Sequence, residues 1–473
     1  MAHARAPETS AQQPRARRFD RGAALHAAVL ALFALAFGLG LFAEGPAAWL
    51  AGVLYAGYDT ALLAFVGLQV RALLRAPAAP VAPERPLTLG VVIAARNEAA
   101  ALPRTIDALL AQTRPPDWIV IADDGSSDDT PQTLRLAYGL PPPAPGAAEQ
   151  VQRAASRLIW LRLPAGGKAR ALNAAIAFAE ADVVATVDAD TLLQPGACAA
   201  MAAAFAQDPA LAVGAGVLEP VCAPGRWAGV FRLFQRYEYL RSFFSRFGWA
   251  RRDALLLVSG AFAGYRRGPL LELGGFDPES LVEDYEIMHR LHRVSHGEGR
   301  GWRVRVIGAA RGVTEAPHAL PAFLRQRRRW FAGFLGTQAR NRDMVGDRRY
   351  GALGRLMLPV KAVDTVQPLF GLTAFGLLLS FAALRKWDLL LIAACIIAAK
   401  LVIDVLFLLY QLHAYAKLTG DRPPLGPGLL AICLEPFSFQ LLRHLGAAWG
   451  WWFFLHGRKR WDASRAITRV TIA

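Results

Sequence analysis

Residues 118–129 read WIVIADDGSSDD. The run WIVIA (118–122) predicts a short buried strand, and the Asp-Asp-Gly-Ser-Ser-Asp-Asp that follows, Asp123 to Asp129, consists of turn-formers. The chain on either side repeats this pattern. Upstream, LGVVIA (89–94) reads as a strand ending in Arg96-Asn97-Glu98, and the next segment sets Leu102, Ile106, Leu109 and Leu110 on one helical face. Downstream, a Pro/Gly-rich loop (140–147) leads to a strand, LIWLRL (158–163). A helical stretch over 169–180 then keeps Leu172, Ile176 and Ala179 on one face, and the strand VVATV (183–187) runs into Asp188-Ala189-Asp190. Strands alternating with helices predict an α/β domain with a largely parallel sheet. In such sheets ligands bind beyond the carboxyl ends of the strands, where the three polar clusters fall.

Each cluster alone is also an ordinary turn. Three at equivalent ends of one sheet gather carboxylates that repel unless a cation joins them. Asp188 and Asp190 are two apart at a strand end, can face one cleft, and offer the hard oxygen donors that suit Mg²⁺ or Mn²⁺. Mg²⁺ is commonly held by one or two carboxylates plus substrate phosphates, so this pair reads as a clamp for a metal-bound diphosphate, with the ion acting as a Lewis acid. Lys168, in Gly166-Gly167-Lys168-Ala169-Arg170, opens a helix after a flexible turn; helix start and lysine both attract phosphate, although a solvated lysine reads the same way. Glu283 and Asp284 begin a helix containing Ile287, Met288 and Leu291. Acids are favoured there by the helix dipole alone, and Asp284 is alternatively a general base for a sugar hydroxyl. Gln326-Arg327-Arg328-Arg329-Trp330 lies in a basic, aromatic helix over about 319–338, which reads as an interfacial amphipathic helix. Trp330 there can also stack on a sugar ring while an arginine pairs with phosphate.

The 473 residues are too many for one small domain, and 54% are hydrophobic with a mean hydropathy of +0.27. The apolar residues are concentrated in blocks at 22–43, about 47–70, 357–384, 388–412 and 427–456. A span needs about 20 apolar residues, and the first block exceeds a signal-peptide core and is followed at once by a second, so a retained hairpin is expected. Arg15, Arg17, Arg18 and Arg21 precede the first block, Arg71 and Arg75 follow the second, and only Glu44 is charged between them; both ends of the hairpin, and the middle domain, are therefore expected in the cytosol. The net charge of +16 then reads as arginines facing anionic lipid rather than as nucleic-acid binding. Cys198, Cys222, Cys395 and Cys433 form no CxxC pair, which argues against a disulfide framework or zinc site. Asp59, Lys361, Asp364, Lys400 and Asp404 fall in or near the apolar blocks, either paired with each other or lining a polar path. The last block is interrupted by Glu435-Pro436 and holds Arg443, and reads as a broken interfacial or re-entrant segment.

In order, DDGSSDD, GGKARALN, DAD, Glu-Asp and QRRRW resemble glycosyltransferase family 2, and more narrowly its membrane-embedded processive branch of cellulose, hyaluronan and poly-N-acetylglucosamine synthases. The resemblance covers about residues 89–330. It implies a GT-A fold, Rossmann-like with a mostly parallel sheet, inserted between N- and C-terminal transmembrane helices. The expected layout is a cytosolic basic arm (1–21), a transmembrane hairpin (22–75), the GT-A domain (86–318), an interfacial helix (319–345), C-terminal transmembrane and interfacial helices (346–456) and a basic tail (457–473). It further implies an inverting transferase of the inner membrane that builds a β-linked polysaccharide from UDP-N-acetylglucosamine or UDP-glucose and extrudes it. Partners implied are the UDP-sugar, the growing glycan, membrane lipid and accessory polysaccharide-export subunits, with no nucleic acid. By the resemblance, Asn97, Glu98, Asp123 and Asp124 line the nucleotide pocket, Lys168 touches the diphosphate, and Ser259-Gly260 forms part of the sugar pocket. Asp188 and Asp190 hold nucleotide and Mg²⁺ or Mn²⁺; Glu283 and Asp284 are catalytic, with Asp284 the base; Gln326, Arg329 and Trp330 bind diphosphate and acceptor. Val282 departs from the family, which often has Thr there, so a hydroxyl near the acceptor is lost. The layout resembles the poly-N-acetylglucosamine and hyaluronan types more than the cellulose synthases with an added C-terminal barrel. Two competing readings are a transferase that places one sugar on a lipid-phosphate carrier and a degenerate scaffold; against the latter, no obvious catalytic position is replaced by an apolar residue.

Overall fold

The computed structural model describes residues 20–74, 86–153 and 155–457. Most of the basic arm, Arg75 and the tail arginines therefore lie outside the described residues. The chain opens with two apolar helices, α1 (Arg21–Phe42) and α2 (Leu50–Leu73). Asp20 caps the first by accepting the Ala23 N–H at 2.9 Å, and a Pro46-containing turn reverses the chain between them.

The middle of the chain then runs β1 (Leu89–Ala95), α3 (Leu102–Leu110), β2 (Trp118–Asp124), α4 (Thr130–Tyr138), β3 (Ala148–Arg153), β4 (Ser156–Leu163), α5 (Lys168–Phe178), β5 (Val183–Val187), β6 (Thr191–Leu193), α6 (Ala197–Gln207) and β7 (Leu211–Val221). It continues through α7 (Ala228–Ala250), β8 (Phe262–Arg266), α8 (Arg267–Glu272), α9 (Glu283–Gly297), β9 (Arg303–Glu315) and α10 (Leu320–Arg340). Nine strands form one sheet in the order β3-β4-β2-β1-β5-β8-β7-β9-β6. The expected parallel block is β4-β2-β1-β5, where β1, β2 and β4 are each followed by a helix that carries the chain back. Beyond β5 the sheet becomes mixed: β8 runs antiparallel to both β5 and β7, β9 is parallel to β7, and β3 and β6 pair antiparallel at the two edges. The strands of this second half were not distinguished in the sequence.

The sheet separates two apolar layers. Side chains alternate across it, so Leu89, Val91 and Ile93 pack on one side and Val92 on the other, all nearly inaccessible. This two-sided burial is why the parallel strands read as continuous apolar runs. On one face the layer extends without a break into α7 and the first residues of the C-terminal helices, through Phe243, Phe244, Met357 and Leu358. The sheet is thus joined to the helical bundle by a shared core.

The bundle comprises α1, α2, α11 (Leu358–Ala383), α12 (Trp387–Thr419), α13 (Leu425–Leu434) and α14 (Phe439–Leu455). Among the described residues, four helical segments are long and apolar enough to cross a membrane: Arg21–Phe42, Gly45–Arg71, Leu353–Ala383 and Trp387–Thr419. The interrupted last block is a bent pair, Leu425–Phe437 and Phe439–Leu455, which meet at 50°. Asp59, Lys361, Asp364, Lys400 and Asp404, the ionisable residues in or near the apolar blocks, are paired. Asp59 lies 2.8 Å from Arg241 of α7 and 2.8 Å from Lys400, Lys400 also contacts Asp404, and Lys361 lies 2.6 Å from Asp364. Asp59, Arg241, Lys400 and Asp404 line a cavity of about 110 Å³ together with Tyr55 and His444.

Candidate active site

The loops that follow β1 and β2 are stitched together. The Asn97 backbone, in a left-handed conformation at φ 58°, donates to Ser126 Oγ at 3.0 Å, and its side-chain oxygen accepts the Ser127 N–H at 2.8 Å. The Glu98 N–H reaches Thr130 Oγ1 at 3.1 Å. Asp123 and Asp124 end β2 and are both buried. Asp124 accepts the Gly166 N–H at 2.6 Å and the Gly167 N–H at 3.0 Å, which fixes the turn that launches α5. Asp123 accepts the Ser126 N–H with Oδ1, while its buried Oδ2 has no partner among the described residues.

That turn delivers Lys168 to the carboxyl end of β5. Its Nζ lies 2.7 Å from Asp188 Oδ1 and 3.3 Å from Glu283 Oε1. Burial disfavours the ammonium, but Asp188, Glu283 and Asp284 outweigh it and hold the lysine pKa above its ordinary value. Asp190 follows two residues after Asp188, and its Oδ1 accepts from Thr314 Oγ1 of β9 at 3.5 Å.

Glu283 and Asp284 form the first turn of α9. Asp284 Oδ2 accepts the Gly260 N–H at 2.8 Å and Oδ1 the Tyr285 N–H at 2.8 Å. Gly260 permits this approach: a Cβ there would lie 3.1 Å from Asp284 Oδ2 and 3.4 Å from Lys168 Nζ. Burial, and next the charge of Glu283, push the Asp284 pKa up to about 6; Lys168, the Gly260 N–H and Arg329 act in the other direction. A carboxyl poised there suits proton abstraction near neutral pH.

Helix α10 closes the site from the bundle side. Arg329 donates to the Leu281 carbonyl at 3.1 Å, three residues before Asp284. Val282 packs on Gly333, where a Cβ would come within 2.6 Å of Val282 Cγ2. The residue that replaces the family's usual Thr therefore serves the close packing of α10 on the α9 loop. Trp330 follows Arg329 and is half-buried, and the buried Oε1 of Gln326 has no partner among the described residues.

The structure thus brings Lys168, Asp188, Gly260, Glu283 and Asp284 into one cluster, with Arg329 beside it. Asn97 and Glu98 lie in the loop after β1, Asp123 and Asp124 at the end of the adjoining β2, and Ser259 immediately precedes Gly260. The sequence singles out neither Thr314 nor Glu238, and it gives Arg327 no role apart from the QRRRW run as a whole. Thr314 sits on a strand that carries no recognisable motif, and its pairing partner Thr191 follows Asp190 directly. Glu238 forms a double hydrogen bond with Arg327 at 2.6 and 2.8 Å, a contact between helices distant in sequence.

Comparison with known proteins places this arrangement. A poly-beta-1,6-N-acetyl-D-glucosamine synthase of Staphylococcus aureus is 27% identical over 248 residues, 51% of this chain and 53% of that protein. An N-acetylglucosaminyltransferase of a Rhizobium species is 29% identical over 282 residues, 55% of this chain and 59% of that one. The alignments span little more than half the length of these relatives. A mannosyltransferase from Pyrobaculum calidifontis, solved in complex with GDP-Man and Mn²⁺, covers 88% of this chain and 99% of its own at a TM-score of 0.52 and 20% identity, so the two share the GT-A-type fold with its mixed sheet. The family models for glycosyl transferase family 2 and glycosyl transferase family group 2 match residues 90–274 and 183–413. The two models overlap over residues 183–274 and together run from the start of the sheet past the site into α12, and over that span the chain carries glycosyl transferase family 2 domains.

Proposed function

We propose that the chain is a membrane-embedded inverting glycosyltransferase that polymerises UDP-N-acetylglucosamine or UDP-glucose into a β-linked polysaccharide at the cytosolic face and passes it through its helices. The observation that carries this reading is the convergence of Lys168, Asp188, Glu283 and Asp284 at the sheet's edge, alongside the Arg329 helix. Relatives named as N-acetylglucosamine transferases support that sugar as the donor. Nucleic acid has no role in this reading. The arginines flank the helices and meet anionic lipid, and export subunits would receive the product.

In this reading Asn97, Glu98, Asp123 and Asp124 frame the nucleotide, and the unpartnered Oδ2 of Asp123 suits an N–H of the base. Lys168 meets the diphosphate, and Ser259 and Gly260 border the sugar. Asp188 and Asp190 would hold Mg²⁺ or Mn²⁺. Their donors are carboxylate oxygens, and among the described residues no cluster of three or more His, Cys, Asp or Glu could hold an ion, which fits a cation shared with substrate phosphates rather than caged by protein. Such an ion would supply Lewis-acid stabilisation of the departing diphosphate, and the Mn²⁺ in the mannosyltransferase complex supports a divalent cation here. Gln326, Arg329 and Trp330 bind diphosphate and acceptor. The acceptor oxygen attacks the anomeric carbon as the bond to the diphosphate breaks, and its proton passes to Asp284, which Gly260 and Tyr285 hold in place. Glu283 keeps the Asp284 carboxyl basic by its charge.

The test offers a panel of labelled UDP-sugars to the purified full-length protein, with Mn²⁺ or with excess chelator, and sizes the products. A ladder of long chains from one sugar, lost in chelator, is expected. A single addition to a lipid carrier would replace polymerisation with the one-step alternative, and no transfer from any donor would overturn the reading.

A further inference from the structure

Glu238 lies midway along α7, where α10 and α14 meet it. Its two carboxylate oxygens take the guanidinium of Arg327 in a fork, Nη1 to Oε1 at 2.6 Å and Nη2 to Oε2 at 2.8 Å. The two side chains are only 18% and 11% exposed. The same guanidinium lies 4.7 Å from the centre of the Trp330 ring and 4.6 Å from that of Phe323. From α14, Arg443 reaches Glu238 Oε1 at 3.9 Å and also hydrogen-bonds Glu435, at the break between α13 and α14. Gly446 of α14 leaves room for this: a Cβ there would come 2.5 Å from Arg327 Cβ.

We propose that Glu238 is a positioning residue for the acceptor: it fixes Arg327, and Arg327 fixes the face of Trp330 on which the glycan rests. The inference rests on the assignment of Trp330 to the acceptor. A cation over an aromatic ring is attracted only weakly and over a broad range of positions. A bidentate carboxylate removes that freedom, because both N–H···O bonds must be kept at once. With Arg327 so held, Trp330 has a fixed partner on one side. Arg443 ties the same carboxylate to the bend of the last helix pair, so the acceptor platform and the α13–α14 break share one anchor. Without the Glu238 charge, the Arg327 guanidinium would be left shielded with aromatic faces but no counter-ion, which is costly. It would leave that position, and Trp330 would lose its partner.

The test uses the full-length protein in detergent, labelled with 5-fluorotryptophan, with the Trp330 ¹⁹F resonance assigned by its absence in Trp330→Phe. In Glu238→Gln that resonance is expected to shift, mean product length to fall about tenfold, and UDP affinity to stay within about twofold of wild type, since the loss falls on a buried pair at the acceptor side. Arg327→Gln should shift the resonance to the same place, and the double variant should add nothing. An unmoved Trp330 resonance with wild-type product length, or fully additive single effects, would overturn the proposal. Should Glu238→Gln fail to fold, Glu238→Asp keeps the charge, withdraws the carboxylate by one methylene, and is judged by the same resonance and sizing. If the wild type transfers no sugar at all, the functional reading fails, while the fluorine shifts still decide whether Glu238 orders Trp330.

Discussion

At the carboxyl end of β5 Asp188, Glu283 and Asp284 stand with Lys168 and Arg329, three acids to two bases; between the helices Asp59 and Asp404 meet Arg241 and Lys400 in equal number. Both regions shield charge from water, and the difference lies in the balance. Ionisable groups inside a membrane protein are tolerated when paired, and the bundle reaches neutrality with its own side chains. The site keeps a surplus of carboxylate, which suits a ligand that brings a cation with it. The imbalance at the site is therefore a matter of chemistry, and the balance in the bundle a matter of stability.

The sharpest test of this contrast removes one carboxylate from each region. Asp284→Asn is expected to lower turnover by roughly 10²–10⁴-fold, the contribution of a positioned general base, while calorimetry shows UDP affinity retained. Normal turnover in this variant would take Asp284 out of the mechanism. Asp59→Asn should do the reverse. It leaves Arg241 without its carboxylate and Lys400 with Asp404 alone, and breaking a shielded pair costs about 3–5 kcal/mol. Denaturant unfolding of the solubilised protein should register that loss, with donor affinity unchanged. A variant as stable as wild type would mean that the bundle's pairs carry no structural weight.

A smaller effect separates the two acids of the strand end. Asp190→Asn is expected to lower transfer on the order of 100-fold, because a Lewis-acid contact contributes several kcal/mol, and raised Mn²⁺ should recover part of it. Asp188 differs, being engaged by Lys168 at 2.7 Å. If Asp190→Asn retained full activity in chelator, the surplus charge at the site would need another explanation.

The parallel block was legible because a strand buried on both faces leaves an uninterrupted apolar run, as in VVATV, and because its ends are marked by acids. The mixed half was not, since β6 is three residues long and β9 mixes arginines and glycines with apolar residues. The site's components were legible as motifs on strand ends and helix starts, whereas their contacts were not. Nothing in the local sequence announces that Asp124 would hold the Gly166–Gly167 turn, or that Val282 would pack on Gly333. The ionisable residues in the apolar blocks were visible, but Asp59 pairs with Arg241, 182 residues away, a partner that only the fold supplies.

The finest prediction concerns proton balance, where site and bundle should again differ. Burial and Glu283 raise the Asp284 pKa from 3.8 to about 6. Only the ionised form accepts a proton, so kcat/KM should climb as pH rises through 6, reach about half its plateau there, and level off above. Stability moves the other way. Between the two values the folded protein holds this proton more firmly than the unfolded chain does, so the contribution is complete below 3.8 and is lost as pH rises through 6. Activity gained where this part of stability is lost marks a group held for reaction rather than for folding. Asp284→Asn should remove the stability slope over that range, leaving the rest of the unfolding profile in place. A rate profile flat between pH 5 and 7, with stability independent of pH over the same interval, would show that Asp284 is ionised throughout and that the crowding of carboxylates at the sheet's edge does not tune it.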